Sequence, residues 1–283
     1  LSGFYERRIK RLIPALAVFV LATSLLISLF NPVPARALEL GCKALLGSSN
    51  IQLYNESTDY FAEATELNPF VHTWSLGVEE QFYFIFPLII LLFARKKHYL
   101  LWLSLAAFVV SFGISVYATY DYHWAAYYLL PSRAWQMMAG AILAITASSV
   151  VRLNVDSRWL STLSLMAILF IFLPAIFYSK ETRFPGFAAL WPTLGAALIV
   201  FLGLIGCRGW IIRFLGAAPL RSVGLISYSL YLWHWPILSY LHIIEGGAPH
   251  RNRTILAILF SILFAWITYK FIEKPIRFVG SNK

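Results

Sequence analysis

The sequence predicts an all-α fold, a polytopic transmembrane helical bundle of about eight spans. Three observations carry that prediction. Of 283 residues, 59% are hydrophobic and only 13% are charged, far from the balance of an average soluble domain. The apolar residues gather in eight runs of 17 to 22 residues, each long enough for a hydrocarbon core of about 30 Å. The formal net charge of +10 sits in short basic clusters between those runs, which is a topology signal. The clustering argues against a nucleic-acid partner, and no metal-ligand spacing is present.

The first span, Leu12–Phe30, follows the cluster Phe4-Tyr5-Glu6-Arg7-Arg8-Ile9-Lys10-Arg11. On a helix Arg8 and Arg11 share one face, and Arg7 and Lys10 another. Two guanidiniums one turn apart can clamp a phosphate as a single lysine cannot. A positive-inside anchor touching anionic lipid would leave the same trace. Residues 31–73 are the longest connection, acidic with Glu39, Glu56, Asp59, Glu63 and Glu66. They are expected as an extracytoplasmic loop, either a lid or recognition surface or a solvated connector. The second span, Leu76–Phe93, carries Glu79 and Glu80 just inside its outer end. Carboxylates in a membrane helix are costly and mark a cavity or a partner, unless they lie at the headgroup level. A continuous helix puts His72, Leu76, Glu79 and Tyr83 on one stripe, where His72 and Glu79 could pair as acid and base.

Spans three to six are Leu100–Tyr117, Ala134–Val151, Trp159–Tyr178 and Phe187–Ile205. Arg133 opens the fourth from outside, placed to reach the second span's carboxylates, to bind an acidic sugar or to anchor the interface. The seventh, Val223–Ile244, holds Ser227-Tyr228-Ser229-Leu230-Tyr231-Leu232-Trp233-His234-Trp235-Pro236. Ser227, Tyr231 and His234 share a stripe. His234, near mid-span, either handles protons or packs against a neighbouring helix. The eighth, Ile255–Phe271, ends at Glu273-Lys274-Pro275-Ile276-Arg277, which reads as an ordinary cytoplasmic stop. With the N-terminus in the cytoplasm, inner segments hold sixteen of 23 Lys and Arg, among them Arg152, Arg158, Arg208 and Lys283. Outer segments hold seven, among them Arg133 and Lys180, so both termini are expected inside. That topology puts Cys42 and Cys207 on opposite sides, unable to pair. The absence of an internal repeat counts against a repeat-built transporter.

Four blocks, in order along the whole chain, together resemble one family: Phe4 to Pro14, His72 to Tyr83, Ser227 to Pro236, and Glu273-Lys274-Pro275. They look like acyltransferase family 3, bacterial membrane O-acyltransferases that decorate O-antigen, peptidoglycan and other glycans. The resemblance implies a helical domain of about ten spans that takes an acyl group, commonly acetyl, from cytoplasmic acyl-coenzyme A to an extracytoplasmic sugar hydroxyl. The family's Arg-x-x-Arg motif falls on Arg8 and Arg11. Those two, with Arg7 beside them, are then the expected site for the phosphates of acetyl-CoA. His72, Glu79, Glu80 and His234 are the candidate catalytic groups, and Trp74, Arg133, Ser227 and Tyr231 the candidate substrate path. The family's first span carries an Arg or Lys and a His, which nothing before Leu12 supplies, so its first two spans are expected to be missing from this chain. Expected partners are acyl-CoA, the glycan acceptor and membrane lipid, with no nucleic acid and no metal, in the bacterial inner membrane. A transporter or flippase for a lipid-linked sugar or acyl donor, or an inactive fragment, are the alternatives.

Overall fold

A computed structural model describes all residues except 32, 59–66, 94, 152–156, 180, 208, 248 and 279–283, together with the side chains of 157, 158 and 278. Asp59, Glu63, Glu66, Arg152, Lys180, Arg208 and Lys283 therefore lie outside the described residues, as does the side chain of Arg158. Among the described residues every regular element is helical. The α-helices are α1 (Ser2–Phe30), α2 (Ala35–Leu45), α3 (Ser49–Thr58), α4 (Trp74–Phe93), α5 (Lys97–Asp121), α6 (His123–Tyr128) and α7 (Leu130–Val150). They continue with α8 (Ser157–Phe177), α9 (Leu190–Leu204), α10 (Trp210–Leu215), α11 (Ala218–Glu245), α12 (Arg251–Thr268) and α13 (Lys274–Phe278). Five stretches are long and apolar enough to cross a membrane: α1, Val71–Phe93, α5, Trp159–Phe177 and Arg251–Arg277. This makes a multi-pass membrane protein. The other three expected spans fall on α7, α9 and α11. The 15 residues of α9 cover about 22 Å, short of a full hydrocarbon core.

The chain divides into two compact units, one of Leu1–Glu80 with Ser222–Lys283 and one of Gln81–Arg221. In the first, α1 turns a stripe of Ala15, Leu16, Phe19, Val20, Thr23 and Ile27 inward, the helical period of a buried face. The described part of residues 31–73 carries the helices α2 and α3. α2 packs back along α1 and buries Ala37, Leu40, Gly41 and Ala44, while Glu39 stays exposed. Glu39 thus marks the outer side of an amphipathic helix. Gly41 is required here, because a Cβ would come within 2.8 Å of the Phe70 ring. Phe70 in turn meets Phe19 edge-on, with ring centroids 5.6 Å apart. Phe19 lies eleven residues before Phe30, about 16 Å back along the axis. The end of the connection therefore sits deep beside α1.

In the second unit α7 packs on α5 and α9 on α8. Trp135 is fully buried between the rings of Phe108 and Phe112. Ser111 pins the start of α7, its Oγ donating to the Pro131 carbonyl (2.6 Å) and accepting from the Trp135 N–H (3.0 Å). Gly195 lets α9 approach the Ala167 carbonyl of α8 to within 2.8 Å of where a Cβ would stand. Cys42 and Cys207 are both free thiols.

Candidate active site

His72 does not begin α4. It sits in a single 3₁₀ turn, Val71–Thr73, ahead of that helix, so the expected stripe of His72, Leu76, Glu79 and Tyr83 is broken at its first member. The turn is fixed from several sides. Ser49 Oγ donates to the Thr73 carbonyl at 2.9 Å, and Thr73 Oγ1 to the Phe70 carbonyl at 2.7 Å. Trp235 Nε1 donates to the Asn68 carbonyl at 3.0 Å, and Ser239 Oγ to the Leu67 carbonyl. The Tyr231 hydroxyl bonds both Ser75 Oγ (2.7 Å) and the His72 carbonyl.

His72 is 8% exposed and its ring is enclosed by aromatics. Phe19 meets it edge-on at 5.7 Å, Tyr231 is at 5.1 Å and His234 at 5.5 Å between centroids. Both its ring nitrogens are closed off from solvent, and neither completes a hydrogen bond among the described residues. The Leu232 main chain faces the ring, and its carbonyl is the one whose i+4 partner would be Pro236, which has no N–H to give. His234 points Nδ1 at the Tyr231 carbonyl, 2.7 Å away. That acceptor requires the proton on Nδ1 and leaves Nε2 as the basic nitrogen of the neutral ring.

A second cluster lies about 10 Å further along α1, at the level of Leu12, whose carbonyl accepts from Tyr228 Oη at 3.0 Å. Glu79 lies in the field of Arg8 and Arg11, and Glu80 in the field of Arg8 and Glu79. Glu79 is exposed and Glu80 half-buried. Glu273, 2% exposed, accepts from Ser229 Oγ at 3.3 Å and feels Arg11 and Arg277. It ends a π-helical turn, Tyr269–Glu273, the kind of extra-residue bulge that re-aims side chains at functional sites. Glu273 is therefore not the ordinary solvated stop that its position suggests. The turn between α2 and α3 closes on the same place. Gly47 has φ +65°, and a Cβ there would overlap Glu80 Oε2. A Cβ on Gly77 would come within 2.6 Å of Asn50 Oδ1.

The structure thus brings His72, His234 and Tyr231 together, and separately Arg8, Arg11, Glu79 and Glu80. The charges that act on Glu79 are those of the two arginines. Arg7 is exposed on the other face of α1, beside Glu6, which takes Lys10 Nζ at 2.7 Å. Ser227 is exposed and donates to the Gly224 carbonyl within its own helix, so it does not join Tyr231 and His234. Trp74 opens α4, half-buried, next to Ser75. Arg133 belongs to the second unit. Its Nε donates to the Tyr127 carbonyl at 3.0 Å, and its guanidinium lies between the rings of Tyr127 (5.1 Å) and Phe184 (5.0 Å). Tyr228, Ser229, Ser75 and Glu273 are site members that stripe reasoning missed. All four lie inside the four sequence blocks, and that was the signal available.

A family model described as an acyltransferase domain matches residues 1–270. O-acetyltransferase OatA of Staphylococcus aureus strain NCTC 8325 / PS 47 is 29% identical over 292 residues, covering 99% of this chain and 48% of OatA. OatA of strain COL matches with the same identity and coverage. The chain spans about half the length of these curated relatives. No solved structure matches it significantly.

Proposed function

The chain belongs to acyltransferase family 3, and on that premise we propose that it transfers an acyl group, acetyl foremost, from cytoplasmic acyl-CoA to a glycan hydroxyl across the bacterial inner membrane. The observation that carries this reading is the stacking of two unlike sites along α1 and α11. An arginine pair in the field of carboxylates stands at one level, and a histidine pair about 12–16 Å away at the other. Arg8 and Arg11 fit the phosphates of a coenzyme A donor, since guanidiniums one turn apart offer bidentate donors. Glu79 and Glu80 lie with that pair, so we assign them to holding the guanidiniums in place. At the other level His234 Nε2 takes the proton of the acceptor hydroxyl as its oxygen attacks the thioester carbonyl. The new C–O bond forms, the C–S bond breaks, and the same imidazole returns the proton to the departing thiolate. We assign His72, enclosed beside His234, to holding the reacting oxygen by one hydrogen bond. Tyr231 and Ser75 keep its turn in register. The acceptor is a sugar hydroxyl of a cell-surface glycan, and both termini of this chain are cytoplasmic.

Arg8→Lys tests the donor site. The charge survives but the planar fork does not. KM for acyl-CoA should rise about tenfold or more while kcat changes little, since a charge-assisted bond contributes about 1.5–3 kcal/mol. An unchanged donor KM would remove Arg8 from the site.

A further inference from the structure

The buried stripe of α12 changes step where that helix ends. Its buried residues are Ala257, Ser261, Ala265 and Thr268, spaced four, four and three apart as one face of an α-helix requires. That period puts Ile272 inward next. The π turn Tyr269–Glu273 inserts one extra residue, and the inward position passes to Glu273. Glu273 is 2% exposed, whereas Ile272 is only half-buried. The fold thus interrupts a regular helix and buries a carboxylate where an isoleucine was next in line. Stability alone favours the opposite choice, because a buried carboxylate costs free energy unless it is hydrogen-bonded and paired.

Two neighbouring side chains of α11 show what Glu273 faces. Tyr228 Oη donates to the Leu12 carbonyl at 3.0 Å, and Ser229 Oγ donates to Glu273 Oε2 at 3.3 Å. They tie α1 at Leu12 and the π turn at Glu273 to one level of α11, and the π turn also packs on α1 directly. Arg11 immediately precedes Leu12. The charges divide accordingly. Arg8 acts on Glu80, Arg11 and Arg277 on Glu273, and both Arg8 and Arg11 on Glu79. Arg11 is exposed, as is Arg277, while Glu273 is enclosed and held by Ser229.

We propose that Glu273 is a positioning residue for the donor site: from its buried seat on the π turn, its carboxylate holds the Arg11 guanidinium on the face it shares with Arg8, so that both meet the same phosphate. An exposed arginine samples many rotamers, and a fixed opposite charge removes most of them before the ligand arrives. That lowers the ordering cost of binding. The inference rests on the assignment of Arg8 and Arg11 to the phosphates of coenzyme A.

The test titrates acetyl-CoA calorimetrically onto the whole protein in lipid nanodiscs, with thermal unfolding measured in parallel. Glu273→Gln keeps the shape and an acceptor for Ser229 but removes the charge. It should raise Kd about fivefold, the order of one positioned polar contact. Ser229→Ala, which keeps the charge but releases it, should raise Kd about twofold by the same reasoning. Arg11→Ala should raise it about tenfold, as for a lost contact to a charged group. On the Arg11→Ala background neither other change should weaken binding further, because both act through Arg11. Unchanged or tighter binding by Glu273→Gln would overturn the proposal. So would the same fivefold loss on the Arg11→Ala background, which would mark an effect on the fold. Non-additivity with Arg277→Ala in place of Arg11→Ala would show a pair within the C-terminal turn and overturn it too. If Glu273→Gln does not fold, Ser229→Ala decides in the same cycle, and wild-type binding there overturns the proposal. Wild-type binding by Arg11→Ala would remove the donor-site reading itself, and the proposal with it.

Discussion

Replacing Tyr231 by Phe removes one oxygen and leaves the ring. That oxygen bonds Ser75 Oγ at 2.7 Å and the His72 carbonyl, so it ties α11 to the 3₁₀ turn that presents His72. Hydrogen bonds between membrane helices contribute about 0.6 kcal/mol on average and at most about 1.7 kcal/mol. Two lost together cost about 1–3 kcal/mol, with the turn's carbonyl left unpaired in a low-dielectric setting. If that energy holds His72 in its reactive pose, transfer falls about ten- to hundredfold, at 1.36 kcal/mol per decade. Labelled acetyl-CoA and a glycan acceptor in vesicles give the rate, and thermal unfolding in detergent gives the stability. KM for the donor should not move, because the arginine pair lies about 12–16 Å away along α1. A wild-type kcat in Tyr231→Phe, with the stability loss present, would refute the link between the turn and the chemistry.

Other perturbations test the remaining contacts. Gly47→Ala forces a side chain into positive φ and into Glu80 Oε2, so it should destabilise by about 1–3 kcal/mol and impair transfer; Gly246→Ala, also at φ +65° but facing open space, should show only the backbone cost in the same melting experiment. Glu79→Gln removes a carboxylate in the field of both Arg8 and Arg11, and acyl transfer should be lost while membrane insertion, read by protease protection, persists. The His250 N–H and the Arg253 guanidinium hold the Glu245 carboxyl below its ordinary 4.5. Its bonds therefore favour the closed α11–α12 turn above that ordinary value and are lost as pH falls through the lower, folded one. Amide exchange at His250, corrected for intrinsic pH dependence, should accelerate across that acid window in the wild type and show no such step in Glu245→Gln.

Much of the helical framework was legible because membrane helices announce themselves by length and apolarity. Each of the eight apolar runs falls on a helix, and the Arg8–Arg11 face follows from spacing alone. What was not legible depended on long-range packing. α2 is short and carries Arg36, Glu39 and Lys43, so its return along α1 rests on Phe70 settling against Gly41, a contact 29 positions apart in sequence. One 3₁₀ turn was enough to detach His72 from the Glu79 stripe, and one π turn to carry Glu273 inward. Ser227 shares a helical stripe with His234, yet the face that meets Glu273 and Leu12 is the adjacent one, of Tyr228 and Ser229. Stripe arithmetic assumes an unbroken helix and an unmarked partner, and both assumptions failed at the site.

The central claim is covalent acyl transfer across the membrane by this arrangement. The most direct measurement places acyl-labelled acetyl-CoA outside inverted vesicles holding the protein and a glycan acceptor inside. The account predicts label bound covalently to the enclosed glycan, lost in His234→Ala and restored towards wild type in Arg8→Lys by excess donor. Label that crosses without joining the glycan, or a glycan that moves unmodified, with insertion verified, would contradict it and favour transport.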